Sequence, residues 1–197
     1  MTRNRLLAVF APILLFASAC GINSVPAAEE EAKAKWGNVQ AAFQRRLDVL
    51  PSIARTATAA SGHERDLQIG VAEARSQAQQ GRLAPDQLTD AGAMQRQAAA
   101  QSQVTAMIGR MLQEVPPENR ANQNYRDLIE EIESANNRVT IALRDYNEAV
   151  RQYNTLIRTF PSSIGASVVH GAEPMVPYQA QNGAERAPEL DFGNGSN

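Results

Sequence analysis

Cys20 is the one cysteine in the chain, and it stands directly after Phe16-Ala17-Ser18-Ala19. With no second thiol it closes no intramolecular disulfide, and an exported thiol is a liability unless it is modified. Small residues ahead of a cysteine suit a signal peptidase, and the thiol can then take a thioether-linked diacylglycerol. Upstream, Arg3 and Arg5 precede Leu6–Ala19, a run of 14 residues without a charge. That run is short for a bilayer span and fits the apolar stretch of a signal peptide. Residues 1–19 therefore read as a signal peptide, and Cys20 as a lipid attachment site resembling the bacterial lipobox. An ordinary cleaved signal followed by an incidental cysteine is the alternative. Acyl chains of the palmitate kind, at about 0.8 kcal/mol per buried CH₂, would hold the protein on a membrane facing the periplasm or exterior. Gly21 after the cysteine favours the outer membrane if the cell is Gram-negative.

Other polar residues have spacings that invite chemistry. His63-Glu64 suggests half of a zinc-binding His-Glu-x-x-His, but position 67 is Leu67 and the other histidine is the remote His170. Two imidazoles one turn apart are what such a site needs, so no metal is expected, and no cofactor. Arg144, Arg151 and Arg158 are seven apart, which keeps them on one helical stripe with a drift of about 20° per step. They can face an acidic partner or membrane surface, or pair with Asp48, Glu64 or Glu73 of neighbouring helices. Tyr146-Asn147 and Tyr153-Asn154 repeat at the same interval. Both tyrosines fall on an apolar seam, where the hydroxyl needs a partner. Asn147 and Asn154 are expected to hydrogen-bond across helices and fix register, a ligand groove being the other reading. Arg45, Arg46 and Asp48 cluster just before Pro51, where they are expected to partner freed carbonyls or acids, a docking site being the other reading. No Ser/His/Asp set and no phosphate-binding glycine loop can be assembled.

The elements that must carry these residues are helices. Apolar residues make up 43 % of the chain but aromatics only 5 %, a profile suited to close-packed helices rather than a sheet. Gly21–Ala28 reads as a lipidated tether continuing from Cys20. From Glu29, Trp36, Val39, Phe43, Leu47, Leu50, Ile53 and Ala57 recur at steps of three and four, the period of one helix face. Pro51 predicts a kink or break there. A second helix spans His63 to Gln80 on Leu67, Val71, Ala74 and Ala78, with Gly81 in a left-handed terminal position. A third opens at Ala84-Pro85-Asp86 and ends at Pro116-Pro117. Its Ala- and Gln-rich middle (Gln95–Gln103) offers a poor core. The fourth, Asn122–Phe160, carries Tyr125, Leu128, Ile132, Ala135, Val139, Ala142, Tyr146, Val150, Tyr153, Ile157 and Phe160, a heptad-like seam with one stutter. At 39 residues it would be roughly 58 Å long. Such a stripe cannot stay bare in water, so partners of similar length are required. Short connections then predict an elongated, all-α, antiparallel (up-and-down) four-helix bundle over 29–160. Residues 161–197 read as an extended segment laid on the bundle as far as Phe192, followed by a disordered tip.

Several of these pieces are found together in one family. Lys35-Trp36-Gly37-Asn38-Val39, Gln44-Arg45-Arg46-Leu47-Asp48-Val49-Leu50-Pro51-Ser52-Ile53, His63-Glu64, Ala74-Arg75, Asn122-x-Asn124-Tyr125-x-x-Leu128, the two Tyr-Asn pairs and Ala187-Pro188-Glu189-Leu190-Asp191-Phe192 resemble the signature of the LemA family, here in a lipoprotein-type form. The resemblance implies an antiparallel helical bundle attached to a bacterial envelope, with no enzyme activity.

Charge narrows the partners. The formal net charge is −2 from 19 basic and 21 acidic residues; loss of residues 1–19 removes two arginines and no acid, leaving 17 against 21, or −4. Nucleic-acid binding, which needs a basic face, is not expected. The membrane, through the lipid, and another envelope protein are the expected partners, with self-assembly as a further option. The partner-binding candidates are Arg45, Arg46, Asp48, Arg144, Asn147, Arg151, Asn154 and Arg158. The competing class, an enzyme or accessory factor acting on envelope substrates, would need a concave pocket of convergent polar groups near His63 and Arg45/Arg46.

Overall fold

The computed structural model describes residues 23–61 and 64–180. Over these the chain is all-α, without a strand among the described residues. Helix α1 spans Ser24–Ser61, α2 Glu64–Gln80, α3 Ala91–Gln113, α4 Pro117–Arg120, α5 Gln123–Leu156 and α6 Ser162–Gly165. A 3-10 turn at Pro85–Gln87 and a π-helical turn at Ala166–His170 complete the set. The four long helices are those that the apolar periodicity predicts, and their number and lengths are consistent with a helical bundle.

The boundaries differ in ways that have physical causes. Helix α1 begins at Ser24 rather than Glu29. Pro26 falls in its first turn, where a missing N–H forfeits no intrahelical bond, and Val25 is fully buried. Residues 24–28, expected as tether, are therefore part of the helix. Pro51 does not break α1, which continues to Ser61. Leu47, Leu50, Ile53 and Ala54 are buried on both sides of it, so packing outweighs the lost backbone bond. The third helix does not open at Pro85. There the chain makes a 3-10 turn, with Gln87 N–H donating to Ala84 O at 3.0 Å and Gln87 Oε1 accepting from Ala84 N–H at 3.2 Å. Helix α5 starts as expected, with Asn122 Oδ1 accepting the Tyr125 N–H at 2.8 Å, the bond that caps a helix N-terminus. It ends at Leu156 instead of Phe160. The Ser162 hydroxyl lies 2.7 Å from Leu156 O and 2.8 Å from Thr159 O, meeting carbonyls that the finished helix leaves open.

The described residues fall into two compact units. The first comprises 23–40, Ala84–Ala91 and Thr140–Pro177. Trp36 packs on Tyr146 with ring centroids 4.9 Å apart at 57°, and both side chains are completely buried, an offset geometry that aromatic pairs favour. The second comprises Ala41–Leu83, Gly92–Val139 and 178–180. Its core runs through Leu50, Ile53, Leu67, Val104, Met111, Leu128 and Ile132. In the middle of α3 the predicted poor core is a buried polar belt, since Gln97 and Gln101 are buried with the alanines. Gln97 Oε1 accepts the Leu83 N–H at 3.0 Å, closing the loop after α2.

Gly81 does not take the left-handed conformation expected of it; among the described glycines Gly171 does, at φ 55°. Gly81 serves close approach instead. A Cβ there would stand 2.7 Å from Ala100 Cβ and 3.3 Å from Arg96 O, atoms that cannot swing aside. At Gly37, mid-helix in α1, a Cβ would meet nothing within 4 Å. Gly81→Ala is therefore expected to lower stability by about 1–3 kcal/mol, because the two segments must part. Gly37→Ala should raise it by up to about 1 kcal/mol through helix propensity. Thermal or urea unfolding followed by circular dichroism checks both, and equal signs would contradict the close packing at Gly81.

Candidate functional site

In the first unit one member of each Tyr-Asn pair, Tyr146 and Asn154, bonds to the C-terminal segment. Asn154 is half-buried on α5, and its amide pairs with one peptide unit of the tail. Nδ2 donates to Met175 O at 2.8 Å, and Oδ1 accepts the Met175 N–H at 2.9 Å. One turn pair earlier the Tyr146 hydroxyl donates to Val176 O at 2.8 Å. Val176 N–H donates to Leu88 O at 2.8 Å, so the residue after the 3-10 turn supplies a third anchor. An extended segment without a sheet has unpaired backbone groups, and these two side chains and one carbonyl satisfy them at Met175 and Val176. The expected inter-helix register bond is corrected for Asn154 to a tail clamp. A carboxamide does this because it presents donor and acceptor side by side, the pattern of a peptide edge.

In the second unit Arg46 is buried, as Arg45 beside it is exposed. Its Nη2 donates to Gln101 O at 2.9 Å and to Gln101 Oε1 at 2.8 Å, and Nη1 reaches Thr105 Oγ1 at 3.3 Å. Nε is buried without a hydrogen-bond partner. The guanidinium carbon lies 5.9 Å from the Phe43 ring centre, within cation–π range, and Phe43 meets Tyr178 at 6.0 Å between centroids. Burial lowers the Arg46 pKa to about 10. This arginine thus bridges α1 to the polar belt of α3 and is closed to an external partner. Asp48, exposed, accepts from Gln44 Nε2 at 2.9 Å and lies 3.6 Å from Arg75 Nη2 of α2.

The arginine stripe is not the free basic face that spacing alone allows. Arg151 Nε donates to Glu148 Oε2 at 2.9 Å, on its own helix, and that pairing holds the exposed Glu148 carboxyl down at about 2. Arg144 lies 3.6 Å from Asp145. Neither pairs with Asp48, which faces Arg75 instead. Arg144 lines an open groove of about 360 Å³ between α1 and α5, with Glu31, Lys35, Asp145, Glu148 and Gln152. Arg158 is exposed beyond the end of α5. Asn147 is half-buried. Cys20 and His63 lie outside the described residues. A second groove of similar size, between α2 and α3, is lined by Asp66, Ile69, Glu73, Met107 and Arg110 among others. Among the described residues no cluster of three or more metal-ligating side chains occurs, and no helix is long and apolar enough to cross a membrane. Sequence reasoning missed Leu88, Gln97 and Gln101 as polar anchors. The glutamines read as helix filler, and Leu88 acts through its carbonyl, which no side-chain pattern displays.

Two measurements follow from this geometry. Asn154→Ala is expected to destabilise the tail contact by about 1–2 kcal/mol and to release the Met175 and Val176 amides to rapid hydrogen exchange, with Tyr146→Phe weaker because the ring packing survives. Unchanged protection at Met175 in Asn154→Ala would contradict the clamp. Burial raises the phenol pKa of Tyr146, Tyr153 and Tyr178. A group whose pKa rises on folding contributes its stability in full below its unfolded value, here 10.0, and loses it as pH climbs through the folded value. Arg46 acts oppositely from about pH 10 upward, but alone. An alkaline titration is expected to show three of the four tyrosines resisting ionisation until helicity collapses, so ionisation of all four near pH 10 in a folded chain would refute their placement.

Comparison with known proteins gives two findings. No curated protein matches the chain. The model of the LemA family matches residues 35–192, which takes in α1 from Lys35, the tail clamp and the Arg46 belt. The chain belongs to the LemA family.

Proposed function

We propose that this chain is a lipid-anchored protein of the bacterial envelope, facing the periplasm or exterior, that presents a helical surface to another envelope protein and catalyses nothing. Family membership suggests the coarse part of this reading, an envelope-associated protein without catalysis. The anchor rests on Arg3, Arg5, the uncharged run Leu6–Ala19 and Cys20 after Ala17-Ser18-Ala19. The observation that carries the interaction role is how the polar residues are used. Asn154, Tyr146 and Arg46 are engaged in holding the chain's own backbone and belt, whereas Lys35, Arg144, Asp145 and Glu148 line an open, mixed-charge groove. Charges of both signs at an open surface give a partner specificity and orientation more than raw affinity. Arg45 and Arg158, exposed, extend the basic component of the protein's surface. Arg46, one of the polar groups that an enzyme's pocket here would need at its surface, is turned into the interior.

Metabolic labelling with a clickable fatty acid is expected to mark the wild-type protein and not Cys20→Ser; an unlabelled wild type removes the anchor. Crosslinking in intact cells should recover a second envelope protein, with recovery reduced roughly tenfold by Lys35→Glu combined with Arg144→Glu and restored little by salt. Repeated recovery of the protein by itself, or of the same partner undiminished by the double variant, counts against the groove.

A further inference from the structure

We propose that the turn from Phe160 to His170 is a membrane-docking tip that seats in the same leaflet as the lipid on Cys20. Among the described residues six large apolar side chains are exposed, and four of them stand within ten residues: Phe160 at 74 %, Ile164 at 57 %, Val168 at 78 % and Val169 at 59 %. Scattered exposed apolar residues need no account, but a concentration of this kind marks an interaction surface. The inference rests on the lipid anchor proposed above, for the position of that anchor selects the occupant.

Register within the first unit places the tip. Trp36 meets Tyr146, and Glu29 and Lys33, one to two turns earlier on α1, act on Tyr153. The two helices therefore run antiparallel here, and the start of α1 at Ser24 comes alongside the end of α5 at Leu156. Phe160 follows four residues after that end, and Cys20 precedes Ser24 by four. Four residues reach roughly 14 Å at full extension, so acyl chains on Cys20 would enter a bilayer beside the apolar turn.

Charge and backbone agree with a lipid surface. No Asp or Glu occurs between Glu148 and Glu173; Arg151, Arg158 and His170 are the basic side chains of that stretch. Residues 21–28 are also uncharged. Basic residues flanking an apolar insertion are drawn to anionic headgroups. The turn also satisfies much of its own backbone, which a membrane interface demands. Ser163 N–H donates to Thr159 O at 2.9 Å, Ile164 N–H to Pro161 O at 3.3 Å, and Ala172 N–H to Ala166 O at 2.9 Å, with Gly171 at φ 55° turning the chain away.

The test uses the full chain carrying Phe160→Trp, with Ile69→Trp as the control for exposure elsewhere. Each is incorporated into vesicles of phosphatidylethanolamine and phosphatidylglycerol with brominated acyl chains. The native Trp36 is fully buried and contributes a constant background. The indole at position 160 is expected to shift to shorter wavelength and be quenched at least roughly twofold more than the control. Quenching no greater than the control, on protein that floats with the vesicles, overturns the tip and leaves the anchor standing. Quenching on a chain whose Cys20 takes no fatty-acid label keeps the tip and removes the anchor. In the Cys20→Ser chain, Phe160→Ser with Val168→Ser should lower vesicle partitioning roughly tenfold with helicity unchanged, and no fall in partitioning overturns the proposal. A concentration-dependent blue shift without vesicles, accompanied by dimers in sedimentation, assigns the tip to a second copy and overturns it as well.

Discussion

An apolar stripe that runs along a 34-residue helix has to be covered, and the architecture follows from how α5 meets that requirement. Of the eleven seam positions read from the sequence between Asn122 and Phe160, Tyr125, Leu128, Ile132, Ala135, Val139, Tyr146, Val150, Tyr153 and Ile157 are buried. No isolated helix keeps such a face from water. In the first unit the cover comes from α1, with Trp36 seated on Tyr146. In the second it comes from the aliphatic core shared with α1, α2 and α3. The break in the pattern is equally physical: the seam's arithmetic continues to Phe160, but the helix stops at Leu156 and delivers that ring to solvent.

Once the seam is covered, the polar residues along it acquire definite work. The half-buried carboxamide of Asn154 and the buried phenol of Tyr146 would be costly without partners, and the tail's peptide edge supplies them to both. Asn154 and Tyr146 turn a segment with no ladder of its own into part of the first unit. Arg46 solves the reverse problem. It is a charge inside, and the Gln101 side chain and carbonyl, the Thr105 hydroxyl and the Phe43 face stand in for water. The belt of Gln97 and Gln101 replaces apolar volume that an alanine-rich stretch lacks, at the cost of demanding matched hydrogen bonds.

Much of the fold was legible from residue spacing. The four long helices and their buried faces are read directly from periods of three and four. Helix ends were less legible, because they depend on what covers the last turn. Pro26 and Pro51 show this: a first-turn proline forfeits no intrahelical bond, so burial of Val25 sets the start ahead of Pro26, whereas burial around Pro51 overrides the break that a mid-helix proline favours. For the candidate site, spacing found Asn154, Arg46, Asp48 and Arg144 but not their partners. Asp48 and Arg75 belong to separate pieces of the family signature and meet only when α1 and α2 pack.

Residue order alone establishes that the chain is helical and that it belongs to a family recognised by scattered, specific pieces, because helical periodicity and residue identity are written along the chain. It could not say whether a polar residue faces a neighbouring helix, the tail or solvent. That choice turns on contacts between residues far apart along the chain, and only packing brings those together. Hence Asn154 became a clamp for Met175, Arg46 went inside while Arg45 stayed out, Gly81 became a point of close approach, and Phe160 was left uncovered.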